Sequence, residues 1–490
     1  MKILNFADIK SILFENKTVK QTISKNIFWF TVSAVTSHLL RFVLWVYIAR
    51  ILGATALGEF SFALAFVSLF VFFHDFGLRT IIVREFANDN YKKEEFYSII
   101  SLKILLSSAV FILIFISSFF VVQNPEIRFV ILILAVVSLI NGFIDFFYAF
   151  FHARQRMEYR ALIEIIQIVL LVSICFLVLF KFPSVRNLSY GYLFNAFLIL
   201  SLILTFFHFK FFPLKVYWQK SVWRKFLFMS WPLALIFLSG TVYGHIDSVI
   251  MGFLGMIKEV GWYNAAFKLI IFATMPAAII SRNFFPVLSK FFQESRKEFQ
   301  IVCDKQMELV ILFIVPLIIG GAVLASKIIE TIYGKKFLSS TLAFQILLVS
   351  AGFMCLQGVF RDVLISASQQ KKVFLATLFG VIVNIIFNLI LIPKFSLYGA
   401  ATAMAVSYFA AFLMSLKFVV QFALIKLSQM KFFFVFIVAV IAAFVMCLAI
   451  TRPVIYNLNV FLTIIIGAII YLIVFFGLKS LFNFLYDISK

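Results

Sequence analysis

Stretches of about twenty mostly apolar residues follow one another along the whole chain, separated by short polar breaks. A helix of that length crosses the hydrocarbon of a bilayer. The first six runs fall at 27–50, 58–80, 97–122, 127–151, 161–181 and 188–209. The next six fall at 227–254, 261–288, 307–327, 340–366, 373–393 and 397–420, and two more at 432–450 and 459–480. The expected fold class is therefore an all-α integral membrane protein of about fourteen transmembrane helices. Composition agrees: 64% of the 490 residues are hydrophobic and 13% charged. A soluble domain is nearer 45–50% apolar and about 25% charged. The 68 Phe are at home in lipid.

The formal net charge is +22, from 43 Lys+Arg against 21 Asp+Glu. In a soluble protein that surplus would suggest a nucleic-acid partner. No basic segment here forms a domain of its own, so no nucleic-acid partner is expected. With the N-terminus in the cytoplasm, the inner loops and tails carry roughly 28 Lys/Arg and the outer side roughly 10. An even helix count leaves both termini inside. The four Cys are scattered, with no CxxC or Cys/His cluster, so neither metal nor cofactor is expected. Ile3, Phe6, Ile9 and Leu13 recur among lysines and suggest a short helix on the cytoplasmic surface.

These features divide the chain into five parts. Residues 1–26 form the amphipathic N-terminal segment, 27–209 a first six-helix lobe and 210–226 a basic cytoplasmic linker. A second six-helix lobe occupies 227–420, and 421–490 holds the last two helices and the C-terminus. No loop is long enough for a separate soluble domain. The lobes carry a matching segment. Leu52, Gly53, Gly58, Phe60 and Ala63 align with Leu254, Gly255, Gly261, Tyr263 and Ala266 once one residue is inserted. Six helices separate the copies, so a parallel repeat is expected, with two bundles facing a cavity.

The stretch IARILGATALGEFSFALAF at 48–66, followed by DFGLRTIIVREFA at 75–87, resembles the opening of the Wzx-type polysaccharide flippases. These belong to the multidrug/oligosaccharidyl-lipid/polysaccharide exporter superfamily. SWPLALIFLSGTVYGHIDSVIMGFLG at 230–255, VGWYNAAFKL at 260–269, FFPVLSK at 284–290 and LIPKFSLYGAATAMAVSY at 391–408 continue the likeness. The resemblance implies two pseudo-symmetric six-helix lobes plus two C-terminal helices. It implies a non-enzymatic flippase that moves undecaprenyl-pyrophosphate-linked oligosaccharide from the cytoplasmic to the periplasmic leaflet of a bacterial inner membrane. It also implies service to surface polysaccharide such as O-antigen. The partners would be membrane lipids, a polysaccharide polymerase or ligase, and a chain-length regulator.

Ionisable groups inside hydrocarbon are costly and face a bundle interior or a wet cavity. Basic residues read as lying inside the helices are Arg41, Arg79, Lys268, Arg282 and Arg361. That surplus suits an anionic passenger such as a lipid pyrophosphate, which arginine binds bidentately. Arg41, near the middle of the first run, is the strongest candidate, with His38 and Trp45 on the same face. An acid on another helix would make Arg41 a structural residue instead. Lys268, Arg282 and Arg361 are further candidates, although Asp362 adjoins Arg361 and snorkelling is an alternative. Asp247 and Lys268 stand at similar distances from the Gly255–Gly261 turn, which admits either a structural pair or an ion-coupling role. His245 and the lone acid Asp145 are other coupling candidates. His74, Asp75 and Arg79 read as a helix-terminus network or a gate. Pro232, Pro276 and Pro316 interrupt apolar runs and are candidate hinges.

Three rivals stand beside the flippase reading. A multidrug cation antiporter needs central carboxylates, and the runs are net basic. A lipid II flippase shares the cationic requirement. A membrane glycosyltransferase or polymerase needs a catalytic loop, and no such loop is present in the sequence.

Overall fold

The computed structural model describes residues 18–87, 92–422 and 432–488. The expected surface segment at 1–26 falls mostly outside these residues. Every regular element among the described residues is helical. Eleven helices there are long and apolar enough to cross a membrane. Two are too long for one crossing. Gln21–Glu85 has 65 residues and Gln370–Gln421 has 52, whereas about twenty suffice. Each contains a break. Gly53 adopts φ 78° and ψ −177°, a conformation open chiefly to glycine. Ser396 adopts φ 53° and ψ −130°, three residues after Pro393.

The chain forms two compact units that meet in sequence at Val249 and Ile250. The first unit begins with α1 (Val19–Asp75) and the short α2 (Leu78–Glu85), joined through Phe76 and Gly77 in left-handed conformations. Then come α3 (Lys93–Val121), α4 (Pro125–Ala153), α5 (Met157–Lys181), α6 (Val185–Lys210) and most of α7 (Lys220–Phe253). Local chemistry starts these helices. Asn124 Oδ1 accepts from Glu126 N with Pro125 in the first turn, and Ser184 Oγ accepts from Asn187 N at 3.1 Å. In this unit α1 packs on α3, α4 and α5, and α4 packs on α6.

Phenylalanine fills the end of this unit next to α7. Phe96 stacks on Phe207 with centroids 5.4 Å apart and meets Phe150 and Phe212 edge-on. Phe96, Phe150 and Phe207 are completely buried. The segment joining α6 to α7 is strapped to α3. Tyr97 Oη donates to Pro213 O, Ser101 Oγ to Tyr217 O and Ser98 Oγ to Gln219 O. Trp223 Nε1 returns a bond to Ser98 O at 2.8 Å. Lys225 pairs with Glu95 at 3.2 Å. At the other end of α1, Lys25 Nζ lies 2.7 Å from Glu158 Oε2, with both side chains buried.

The second unit holds α8 (Ile257–Ala273), α9 (Met275–Glu294), α10 (Arg296–Val323) and α11 (Ala325–Tyr333). A 3-10 turn (Lys335–Ser340) leads to α12 (Thr341–Ser366) and α13 (Gln370–Gln421). Then follow α14 (Phe432–Ile450), the one-turn α15 (Pro453–Tyr456) and α16 (Val460–Ile488). Pro276 ends α8 at Thr274 and opens α9, whereas Pro316 lies inside an unbroken α10. Pro232 lies inside α7, in a stretch whose side chains are not described.

The sequence repeat has a counterpart in backbone conformation. The aligned Gly53 and Gly255 both adopt positive φ, 78° and 76°. The turn after α4 places Gln155 at φ 55°, and the turn after α12 places Ser368 at φ 59°. Each closes with the same pair of bonds. Gln155 N donates to His152 O and Arg156 N to Phe151 O. Ser368 N donates to Ile365 O and Gln369 N to Leu364 O. This is the Schellman closure of a helix end.

Candidate functional site

Two helices of the first unit carry polar stripes at helical spacing. On α4 the stripe is Asn141, Asp145 and Tyr148. On α5 it is Arg160, Glu164 and Gln167. Both stripes face a cavity of about 350 Å³. Arg41 from α1 and Arg79 from α2 reach the same space, and α6 contributes Tyr192 and Asn195. Apolar Val137, Ile144, Ile168 and Leu171 complete its wall. A cavity of this size, with a few convergent polar groups on an apolar frame, matches the usual form of a ligand site.

The charges inside it are unequal. Arg79 lies 3.9 Å from Asp145, and Arg160 lies 3.7 Å from Glu164. Arg41 has no carboxylate within ion-pair distance among the described residues. Three guanidinium groups thus meet two carboxylates, and the surplus positive charge sits at Arg41. The neutral groups form a ladder. Tyr148 Oη donates to Gln167 Oε1 at 3.2 Å, and Gln167 Nε2 donates to Asn141 Oδ1 at 3.2 Å. Arg160 lies over the Tyr148 ring, 5.8 Å from its centroid.

A second cavity in the same unit, of about 390 Å³, shares Arg79, Asn141 and Asp145 with the first. Its other polar walls are Ser68, His74, Asp75, Ser138, Thr241 and His245. Behind it lies a buried network. His74 is fully buried, with Nδ1 2.7 Å from Ser107 Oγ. Ser107 Oγ also hydrogen-bonds Lys103 O. Lys103, 1% exposed, places Nζ 3.4 Å from Asp75 Oδ1. His74, Asp75 and Arg79 thus each bind a different helix neighbour: Ser107 and Lys103 on α3, and Asp145 on α4.

The remaining sequence candidates lie elsewhere. His38 is exposed and Trp45 is buried, and neither lines these two cavities. Asp247 is 2% exposed and belongs to the first unit, and Lys268 belongs to the second. Arg282 is exposed. Arg361 lies 3.6 Å from Asp362. Asp362 is buried and accepts from Gln306 Nε2 at 2.9 Å. Among the described residues no group of three or more His, Cys, Asp or Glu is placed to hold a metal ion.

Several lining residues escape a reading of the sequence. Arg160 closes the basic stretch at 152–160, where it looks like one more loop cation, but it sits in the first turn of α5 and turns into the cavity. Glu164 and Gln167 continue its face, as Asn141 and Tyr148 continue that of Asp145. The i, i+4, i+7 spacing of polar residues within apolar runs is the available signal. On α6 only Tyr192, at i−3, accompanies Asn195 along the cavity.

The chain resembles known proteins along most of its length. The pattern of the family described as polysaccharide biosynthesis protein matches residues 23–292. The capsular polysaccharide biosynthesis protein CapF of Staphylococcus aureus is 24% identical over 401 residues, covering 79% of this chain and 96% of CapF. A protein of Haloferax volcanii named "Probable low-salt glycan biosynthesis flippase Agl15" is 25% identical over 193 residues. That match covers 39% of this chain and 40% of the relative. In fold, the chain is similar to the lipid II flippase MurJ in an inward closed conformation. The TM-score is 0.77 at 16% identity, over 94% of this chain and 99% of MurJ.

Proposed function

The chain belongs to the polysaccharide biosynthesis protein family, and we propose that it is a flippase for oligosaccharide linked through pyrophosphate to a polyprenyl lipid. The direction is from the cytoplasmic to the outer leaflet of a bacterial inner membrane, with both termini in the cytoplasm. Reading the breaks at Gly53 and Ser396 as turns, and α7 as a further crossing, brings the spans to fourteen.

The observation that carries this reading is the charge balance of the first cavity. Asp145 and Glu164 each face an arginine, and Arg41 is left over. A cation held within a membrane is costly unless an anion or water meets it. A pyrophosphate headgroup supplies that anion and presents the oxygens that a guanidinium fork binds. No covalent step is involved. The protein lowers the barrier by replacing headgroup hydration with arginine and amide contacts, while the prenyl tail stays in lipid. The surrounding partners in this reading are a polymerase or ligase and a chain-length regulator.

The test is transport in reconstituted vesicles. Arg41→Ala lowers the rate by about tenfold or more, the value of one lost charge-assisted hydrogen bond. Arg41→Lys keeps the charge and part of the rate. Equal rates for wild type and Arg41→Ala would remove the cavity from the transport path.

A further inference from the structure

Three segments at one end of the second unit are fastened into a single surface. Trp262 Nε1 of α8 donates to Lys336 O at 3.0 Å, and Ser340 Oγ donates to Trp262 O at 2.8 Å. Tyr398 Oη, just past the break in α13, donates to Ser339 O at 3.4 Å. The start of α8, the 3-10 turn and the α13 break are thereby held side by side. Each brings lysine: Lys258 from the first, Lys335 and Lys336 from the second, and Lys394 from the third, all exposed. Lys258 Nζ lies over the Trp262 ring, 4.9 Å from its centroid. Among the described residues none of the four joins an ion pair, although Glu259 and Glu330 lie near in sequence. The aligned turn of the first unit, 52–58, contains neither Lys nor Arg.

In the orientation proposed above, this end of the unit faces the outer side of the membrane. Lys and Arg favour cytoplasmic loops, so four lysines without acidic partners on the outer side run against the bias. Such a group attracts an anion. Exposed Leu254, Leu338 and Phe395 stand in or next to the same three segments. Lysines interleaved with exposed apolar side chains, with Trp262 and Tyr398 among them, suit the boundary between lipid headgroups and acyl chains. A soluble anion would leave the apolar members in water. We propose that Lys258, Lys335, Lys336 and Lys394 form a docking surface for anionic phospholipid headgroups of the outer leaflet. The surface belongs to the second unit, whereas both cavities described above belong to the first. Its assignment to the outer leaflet rests on the proposed orientation; the binding of anionic lipid does not.

The probes are dioleoylphosphatidylglycerol, dioleoylphosphatidylcholine and glycerophosphoglycerol, the last being the anionic headgroup without acyl chains. Each is titrated into the purified full-length protein in detergent, and binding is read from the rise in melting temperature. The wild type responds to phosphatidylglycerol at lower concentration than to phosphatidylcholine. Lys335→Gln/Lys336→Gln weakens the phosphatidylglycerol response by about tenfold or more, since one lysine near an anionic surface counts for about fivefold. Lys258→Gln/Lys394→Gln acts in the same direction and stands in if the first double variant does not fold. Lys297→Gln/Lys371→Gln removes two exposed lysines from the opposite end of the unit and leaves the response in place. A wild type without preference, or equal weakening by variants at the two ends, would overturn the surface. Glycerophosphoglycerol binding as tightly as the intact lipid would overturn it too, in favour of a soluble anion. Labelling of Lys335→Cys by a membrane-impermeant maleimide in intact cells tests the orientation separately. Labelling places the surface outside. Protection would sink the outer-leaflet assignment together with the proposed orientation, and the detergent titrations would still decide whether the lipid binds.

Discussion

Arg79 Nη1 lies 3.9 Å from Asp145 Oδ2, in the stretch of wall that two cavities of the first unit share. Both side chains are partly exposed, at 38% and 48%. The pair's position suits control of passage between the two spaces. Reversing either charge, as Arg79→Glu or Asp145→Arg, sets like charges side by side and should abolish transport in vesicles. The double reversal should recover part of the rate. A double variant as inactive as either single one would show that the two residues act separately.

Gly142 packs against His74 with no room for a methyl group. A Cβ there would stand 1.9 Å from His74 Nε2 and 2.4 Å from Cδ2. Gly142→Ala should therefore displace the imidazole, break its bond to Ser107 and cost about 1–3 kcal/mol. Thermal unfolding in detergent measures this. Adding His74→Ala opens the space, so the double variant should be less destabilised than the two single losses together.

The Lys25–Glu158 pair is buried on both sides, and Arg156 touches the same carboxylate at 3.4 Å. Removing one member of a buried pair strands the other charge, at about 3–5 kcal/mol. Lys25→Met should lose toward the lower end of that range, because Arg156 remains. The double variant Lys25→Met/Glu158→Met should regain most of the loss in the same unfolding assay. A double variant less stable than Lys25→Met would refute this account.

Ser368 and Gln155 hold equivalent left-handed turn positions, which are strained for residues with a Cβ. Ser368 is exposed, so Ser368→Gly should stabilise by up to about 1 kcal/mol. Gln155 also anchors its turn to α1, because its Oε1 accepts from Asn26 Nδ2 at 2.7 Å. Gln155→Gly relaxes the turn but loses that tie, so its gain should be smaller or absent. Melting temperatures of the two variants decide the order.

The all-helical membrane fold was legible because length and hydropathy act locally: any run of twenty apolar residues faces the same choice. The paired glycines at 53 and 255 were legible for a similar reason, since a left-handed residue restricts identity wherever it occurs. The site was only half legible. Arg41, Arg79 and Asp145 stand out because charge within an apolar run is costly. Arg160 does not, because it lies at a helix start where a sequence shows the same letters for loop and cavity. Asn195 carries no charge and has a single companion on its face, Tyr192. Its place in the cavity wall comes from the packing of α6 against α4 and α5, which exists only in three dimensions.

The strap between α6 and α7 has one more consequence, for divergence among relatives. Tyr97, Ser98 and Ser101 all donate to main-chain carbonyls, of Pro213, Gln219 and Tyr217. Every residue type offers a carbonyl, so the contact selects the route of the chain and leaves its side chains unread. Apart from Leu214, which packs on the core, and Trp218, which meets the Trp223 ring, substitutions along 213–219 should drift almost freely, whereas the three hydroxyl donors on α3 hold the anchorage and should change slowly.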